Sequence, residues 1–359
     1  MRSPTWGFQL DLPPGFIYVD GNAFDRFSFE GPSNSMFDLL VYDAVYRDVA
    51  DMMQDVIRRL GNTGEITFFE YGGRDAAIVE LRFANMEGWA LGLELGDHPI
   101  GGSPALLLAL AYAPVGTENV DLIHISALNS IAPTQADALR PGPIMEFAFP
   151  RGGWVDAPLA GGLGTARIRE NDAEAAQMLV ENEFLLLYMY QHSDYWQEAW
   201  IRFYRAIYRD SWDRIADAAF QIERGLRCGG AARDLDLGET DRAFAQRALA
   251  FVQGFYYERN LDGSDFINLV TAVTEGRGDC DTRAMLWAII LAQANIPSAI
   301  MVSRHHSHAM GLADVPGAGA RFEAGGVMWL VAETTSDVDI GLIAASQSYI
   351  GHWLGVTFE

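Results

Sequence analysis

In parts of the first 113 residues apolar and polar positions alternate, and a period of two predicts strands. Residues 8–12 and 25–30 alternate in this way. Met36–Tyr42, 65–71, 75–83, 89–95 and 103–113 read as further strands, divided by Gly-Gly and by Asn, Glu and Gly positions. Two stretches switch to the helical period. Val49–Leu60 sets Val49, Met52, Met53, Val56, Ile57 and Leu60 on one side, and 120–131 gives a second helix ending near Pro133. Strands that follow one another with few helices between them imply an antiparallel sheet flanked by helices. Residues 1–150 therefore read as an N-terminal antiparallel-sheet α/β domain.

Pro141-Gly142 and Pro150-Arg-Gly-Gly153 mark a linker. Residues 151–240 then form a linker and helical middle segment. Asn171-Asp172 caps a helix running to about Gln191, and a partner helix begins near Ser193-Asp194. Trp196, Ala199, Trp200, Phe203, Tyr204, Ile207 and Tyr208 recur at three- and four-residue spacing, a stripe that packs helix on helix. In the last segment, 241–359, a helix over 243–257 precedes a second whose residues 284–291 are apolar on nearly all sides. That helix is buried, and Asn295 and Pro297 stop it. Ser298–Ser303, 309–312 and 327–333 are strand runs. The fold class is α+β.

Composition narrows the partners. The formal net charge is −23, which makes nucleic acid and anionic membranes poor partners. No 18-residue apolar run predicts a membrane span. Residues 1–10 lack the apolar core of a signal peptide, which leaves either a cytoplasmic protein or an exported one with its signal removed. All 25 basic residues are arginine, so the chain cannot crosslink to itself through lysine. Two cysteines are too few for a disulfide framework, and Cys228, in Arg-Cys-Gly-Gly, reads as a loop residue after a helix. Gly161-Gly-Leu-Gly164 is too weak a signal for a phosphate loop without a preceding strand.

The other cysteine is the chemical feature. Cys280 follows Gly276, Gly278 and Asp279 and stands in the first turn of the buried helix. Free backbone N–H groups and the helix dipole favour a thiolate there. Asp279 and Asp281 oppose this, and Arg277 and Arg283 partly offset them. A buried cysteine is more often structural, but the Gly-x-Gly-Asp-Cys approach argues for a reactive one. His308 opens a strand, and Glu333 ends the next. Side by side, the carboxylate would fix the imidazole tautomer. Taken alone, Glu333 reads as a solvated strand-end carboxylate. His305, His306 and His308 are a third reading, as metal ligands, with 306 and 308 sharing a strand face. No Cys-x-x-Cys or His-Glu-x-x-His accompanies them, so no metal and no cofactor is expected.

Together these residues resemble the transglutaminase-like superfamily, which has a papain-like core. The matching segments are Gly278-Asp-Cys280, Asn295-Ile-Pro297, His308-Ala309 and Trp329-Leu-Val-Ala-Glu333-Thr-Thr335. They cover roughly the last third of the chain. Two positions depart from the family pattern: Glu333 stands where Asp is usual, and Met310 where an aromatic is common, which bears on the substrate groove. The resemblance implies Cys280 as nucleophile, His308 as general base and Glu333 as third member, acting on a peptide, protein or other amide through a thioester. Hydrolysis is favoured over transfer to an amine. An oxyanion hole would use the Cys280 N–H and one of Gln253, Tyr256 and Tyr257. The alternative is a catalytically inactive scaffold or binding protein. The N-terminal domain loosely resembles PsbP-like α/β domains in its Gly7-Phe8, Leu12-Pro13 and Gly15-Phe16 opening, and its default role is docking a protein partner.

Overall fold

The run Leu106-Leu-Leu-Ala-Leu-Ala111 is apolar at every position because both of its faces are covered. The structure, a computed structural model, describes residues 1–62, 64–96, 105–228, 240–259 and 263–358. It is a mixed α+β chain that divides into two compact units, Met1–Pro150 with Leu185–Arg202, and Arg151–Phe184 with Phe203–Glu359. The helical middle stretch is thus shared between the units.

In the first unit β1 (Ile17–Gly21), β2 (Arg26–Glu30), β3 (Met36–Tyr42), β4 (Thr67–Tyr71), β5 (Arg74–Phe83), β6 (Met86–Glu94) and β7 (Leu106–Pro114) make one sheet in the order β1-β2-β3-β7-β6-β5-β4. Every pairing is antiparallel. Alternation sorts the sheet's two sides. Leu106, Leu108 and Leu110 of β7 pack with Met52, Met53, Val56 and Ile57 of α1 (Val49–Leu60). Leu107, Ala109 and Ala111 face the other way, toward Ala127 and Leu128 of α2 (Val120–Asn129) and Ile144 of α3 (Pro143–Ala148). Asp48 caps α1 by accepting the Asp51 N–H at 2.8 Å. Residues 8–12 are not a ladder strand. Gln9 makes only isolated bridges to Arg2 and Ala132, while Phe8 and Leu10 are buried. The expected strand positions 103–104 lie outside the described residues.

The second unit opens with a hairpin of β8 (Trp154–Pro158) and β9 (Thr165–Arg169). Its helices draw on α4 (Asp172–Met189), α5 (Trp196–Arg214), α6 (Ala216–Arg227), α7 (Asp241–Gln253), α8 (Leu269–Glu275) and α9 (Cys280–Gln293). Cys228 ends α6; Gly229 and Gly230 after it lie outside the described residues. Strands β10 (Ser298–Ser303), β11 (His308–Ala313), β12 (Arg321–Ala324), β13 (Val327–Ala332) and β14 (Leu354–Val356) form an antiparallel sheet ordered β12-β13-β11-β10-β14. Helix α9 is apolar all round because it is buried from Thr282 to Leu291. Trp287 lies on Gly311 of β11, where a Cβ would come within 2.3 Å of its ring, so only glycine lets helix and strand approach. Met310 and Leu312 point to the opposite side, with Met301, Trp329, Val331 and Trp353. Met310 is therefore a core residue with no exposed surface, not part of a groove.

Candidate active site

The N-terminus of α9 is built by capping. Gly276 ends α8 in the left-handed region at φ 67°. Asp279 then caps α9 by accepting the Thr282 N–H at 2.8 Å. Gly278 leaves room for the Thr282 side chain, which a Cβ there would meet at 2.6 Å. Both glycines thus have structural work of their own in presenting Cys280.

Three other segments converge on this turn. Helix α7 stops at Gln253, four residues short of the expected end, because the chain then pairs with the glycine approach: the Tyr256 N–H donates to Gly276 O at 2.8 Å and the Gly278 N–H to Tyr256 O at 3.0 Å. That pairing carries Tyr257 to Cys280, and the thiol takes hydrogen bonds from the Tyr257 hydroxyl and the Ala309 N–H. At the end of β13, Glu333 meets His308, with His308 Nε2 and Glu333 Oε2 2.8 Å apart. The other carboxylate oxygen accepts the Thr335 N–H at 2.8 Å and the Thr335 hydroxyl at 2.6 Å. Glu333 is only 5% exposed, so it is not the solvated strand-end group that it resembles in isolation. Burial pushes its carboxyl upward, but the bonds from His308 and Thr335 outweigh that and hold it below the usual glutamate range.

Arg283 holds these segments together, a role not read from the sequence. Its guanidinium is buried and donates only to main-chain carbonyls: Gly278 at 3.1 Å, Phe255 at 2.6 Å, and Gln253 and Thr334 at 3.5 Å. It also lies 5.3 Å from the Tyr257 ring centroid. The visible signal was an arginine inside an otherwise apolar helix. Arg277, by contrast, pairs with Glu275 and Glu258 and remains partly exposed.

Of the three oxyanion candidates, Gln253 has both amide hydrogens committed, to Glu333 O and Val338 O at 2.9 Å each. The Tyr256 ring is 72% exposed, and its N–H is used in the pairing with Gly276. Tyr257 alone brings a side-chain donor to the thiol. Burial, with Cys280 and Asp279 beside it, pushes its phenol up to about 12, so it stays protonated. The Cys280 N–H, at the first position of α9, has no acceptor within its own helix.

The thiol itself departs from expectation. Burial, then Asp281, then Asp279 push Cys280 well above the ordinary thiol range, and the hydrogen bonds from Ala309 and Tyr257 do not reverse this. Asp279 is buried and pushed far up; Asp281, bonded by the Tyr204 hydroxyl, is pushed up to about 6. Burial and the two flanking carboxyls thus keep the helix N-terminus from giving the thiolate expected there. The resting thiol is protonated, and among the described residues it makes no hydrogen bond to His308. It meets β11 one residue further on, at Ala309. Beside this turn, a cleft of about 660 Å³ is lined by Glu258, Arg259, Phe266, Asn268, Thr271 and Arg277 among others. Arg259 is close enough to feel the charge of both Tyr257 and Cys280.

His305 and His306 do not join His308. Ser307 adopts φ 45°, and this left-handed residue turns the chain so that His308 enters β11 toward Glu333. The other two stay in the turn and meet His352. Compared with known proteins, the chain matches no family model and no curated sequence. Among the described residues no helix is long and apolar enough to cross a membrane.

Proposed function

We propose that this chain is a transglutaminase-like cysteine enzyme that hydrolyses an amide, with Cys280 as nucleophile, His308 as general base and Glu333 as the group that orients it. The observation that carries the reading is the part-buried 2.8 Å contact between His308 Nε2 and Glu333 Oε2, in a strand whose next amide bonds the Cys280 thiol. A carboxylate tied down by Thr335 and spent on Nε2 leaves Nδ1 as the ring nitrogen for proton transfer. The protonated thiol delivers its proton to His308 as sulfur attacks the carbonyl carbon, so a thiol–imidazole pair closes on substrate rather than at rest. The carbonyl π bond opens toward the Cys280 N–H and the Tyr257 hydroxyl. The C–N bond then breaks, the amine leaves with the proton from His308, and a thioester remains. Water, deprotonated by His308, adds to the thioester, and its collapse releases the acid and restores the thiol.

A second reading has a specific observation behind it. A cysteine 5% exposed between two carboxyls suits an inert scaffold, with the unit serving only to bind a partner.

Acyl-enzyme trapping separates the two. With p-nitrophenyl acetate and the Cys228→Ser background, the enzyme reading expects a stoichiometric release of p-nitrophenolate and an acetyl mass increment on Cys280. His308→Ala should slow acylation by roughly 10²- to 10⁴-fold, the range for a lost general base. An acylation rate at Cys280 that is the same with and without His308, or no acylation of the folded protein, makes the scaffold the correct reading.

A further inference from the structure

The turn after β10 and the short helical turn before β14 bring three imidazoles together. His305 and His352 stack with ring centroids 3.8 Å apart, His306 lies 4.7 Å from His305 and 5.3 Å from His352, and Trp353 covers His306 at 5.4 Å. Each histidine offers a ring nitrogen within 4.8 Å of the other two. Ring stacking does not account for the arrangement. His306 Nε2 and His352 Nδ1 are buried and, among the described residues, have no hydrogen-bond partner. Leaving a polar atom buried and unpaired is costly, and native structures rarely accept it twice in one cluster.

We propose that His305, His306 and His352 form a binding site for a first-row transition-metal dication of the imidazole-preferring kind, zinc first. Zinc bound by imidazole nitrogens at about 2.0–2.1 Å needs them about 3.3 Å apart in a tetrahedron, a contraction that ring rotations in a surface turn supply. The turn is already set for it: Ser307 holds the left-handed conformation, and the His306 N–H is tied to Ser303 Oγ at 3.1 Å. Three neutral nitrogens leave the fourth position to water or another small ligand. The site differs from the His305, His306 and His308 set suggested by sequence, because Glu333 holds His308 away while the distant His352 supplies the third nitrogen. It would also pin the segment before β14 to the β10–β11 turn, beside Trp353, whose ring centroid is also 6.2 Å from that of His308. The metal site stands independently of the acyl-transfer reading.

The test uses the full untagged chain, stripped with chelator and titrated with zinc against a chromophoric zinc indicator. One equivalent should bind, and His352→Ala and His306→Ala should each weaken binding at least 100-fold. Cobalt substituted for zinc should show the visible bands of a tetrahedral site. His305→Asn, on the most exposed of the three, guards against a folding artefact and should weaken binding while leaving the circular dichroism unchanged. Cys280→Ser should leave affinity unchanged. Binding that survives His352→Ala, binding lost in Cys280→Ser and so belonging to the Asp279-Cys280-Asp281 cluster, or no stoichiometric binding at micromolar zinc would each overturn the proposal.

Discussion

Both units bury a sheet on two sides, but they fill their interiors differently. In the first unit α1 and α2 cover β7 with methionine, leucine, isoleucine and alanine. Its one buried carboxylate of note, Asp137, is saturated by Arg74, Arg140 and Thr134. In the second unit the interior near the start of α9 holds Asp279, Arg283, Glu333 and Thr334, and that near α4 and α5 holds Asp172, Asp210 and Arg214. Burying charge costs several kcal/mol per ion unless it is paired. An apolar interior meets only the demands of folding. The second unit accepts polar burial, and part of it surrounds one cysteine, which is where a fold is expected to break its local rules.

The strongest way to break this comparison is at Arg214. Its guanidinium bonds Asp172 at 2.7 Å and Asp210 at 2.7 and 3.0 Å, with all three side chains buried. Arg214→Ala leaves two buried carboxylates facing each other without a cation. Denaturant unfolding should show a loss of about 3–5 kcal/mol, the cost of removing one partner from a buried ion pair. A loss under about 1 kcal/mol would mean that the network is dispensable and the second unit no more polar in its energetics than the first.

Leu107→Ala probes the apolar side of the comparison. Leu107 is fully buried at the centre of the sheet, and large-to-small changes in such cores cost about 2–5 kcal/mol according to how far the cavity collapses. Unlike the Arg214 change, this loss should be insensitive to pH between 5 and 8, since no titrating group loses a partner. A strong pH dependence in the unfolding free energy would show that charge matters in the first unit too.

Much of this was legible in advance, and the failures share one cause. Alternation gave β2, strand-forming runs between turn residues gave β3, β5 and most of β4, β6 and β7, and the helical period gave α1 to its last residue. Strand β1 carried no such pattern: Ile17, Tyr18 and Val19 lie exposed on an edge, held by pairing with β2. Strands β12 and β14 are too short to show a period. Cys280, His308 and Glu333 were legible as residues, and the His308–Glu333 contact followed from neighbouring strands. What sequence could not give was the sum of local fields. The helix dipole at Cys280 is visible in a string of letters; the burial that, with Asp279 and Asp281, keeps it from giving a thiolate is not. Nor does spacing reveal that Arg283 turns inward to four carbonyls while Arg277 turns out.

The smallest expected effect sharpens the comparison most, because it separates cost from purpose. Asp281 is pushed up to about 6 by burial, against about 3.9 for an unperturbed aspartate, so its neutral form favours the folded state. That contribution is fully present below about pH 4 and is lost as pH rises through about 6. Asp281→Asn keeps an oxygen for the Tyr204 hydroxyl and removes the charge. Its melting temperature should match the parent at pH 4, exceed it increasingly to pH 6, and hold a constant advantage above that, worth about 1 kcal/mol, below the roughly 3 kcal/mol of the full shift because the residue is partly exposed to solvent. The same change removes the carboxyl whose charge acts most on the thiol, so iodoacetamide should label Cys280 at a lower pH than in the parent. If stability rises and labelling shifts down together, Asp281 is a group retained at a cost in stability that keeps the Cys280 thiol protonated. If stability rises and labelling stays put, the charge around Cys280 is not what governs the thiol, and the polar interior of the second unit would need another explanation.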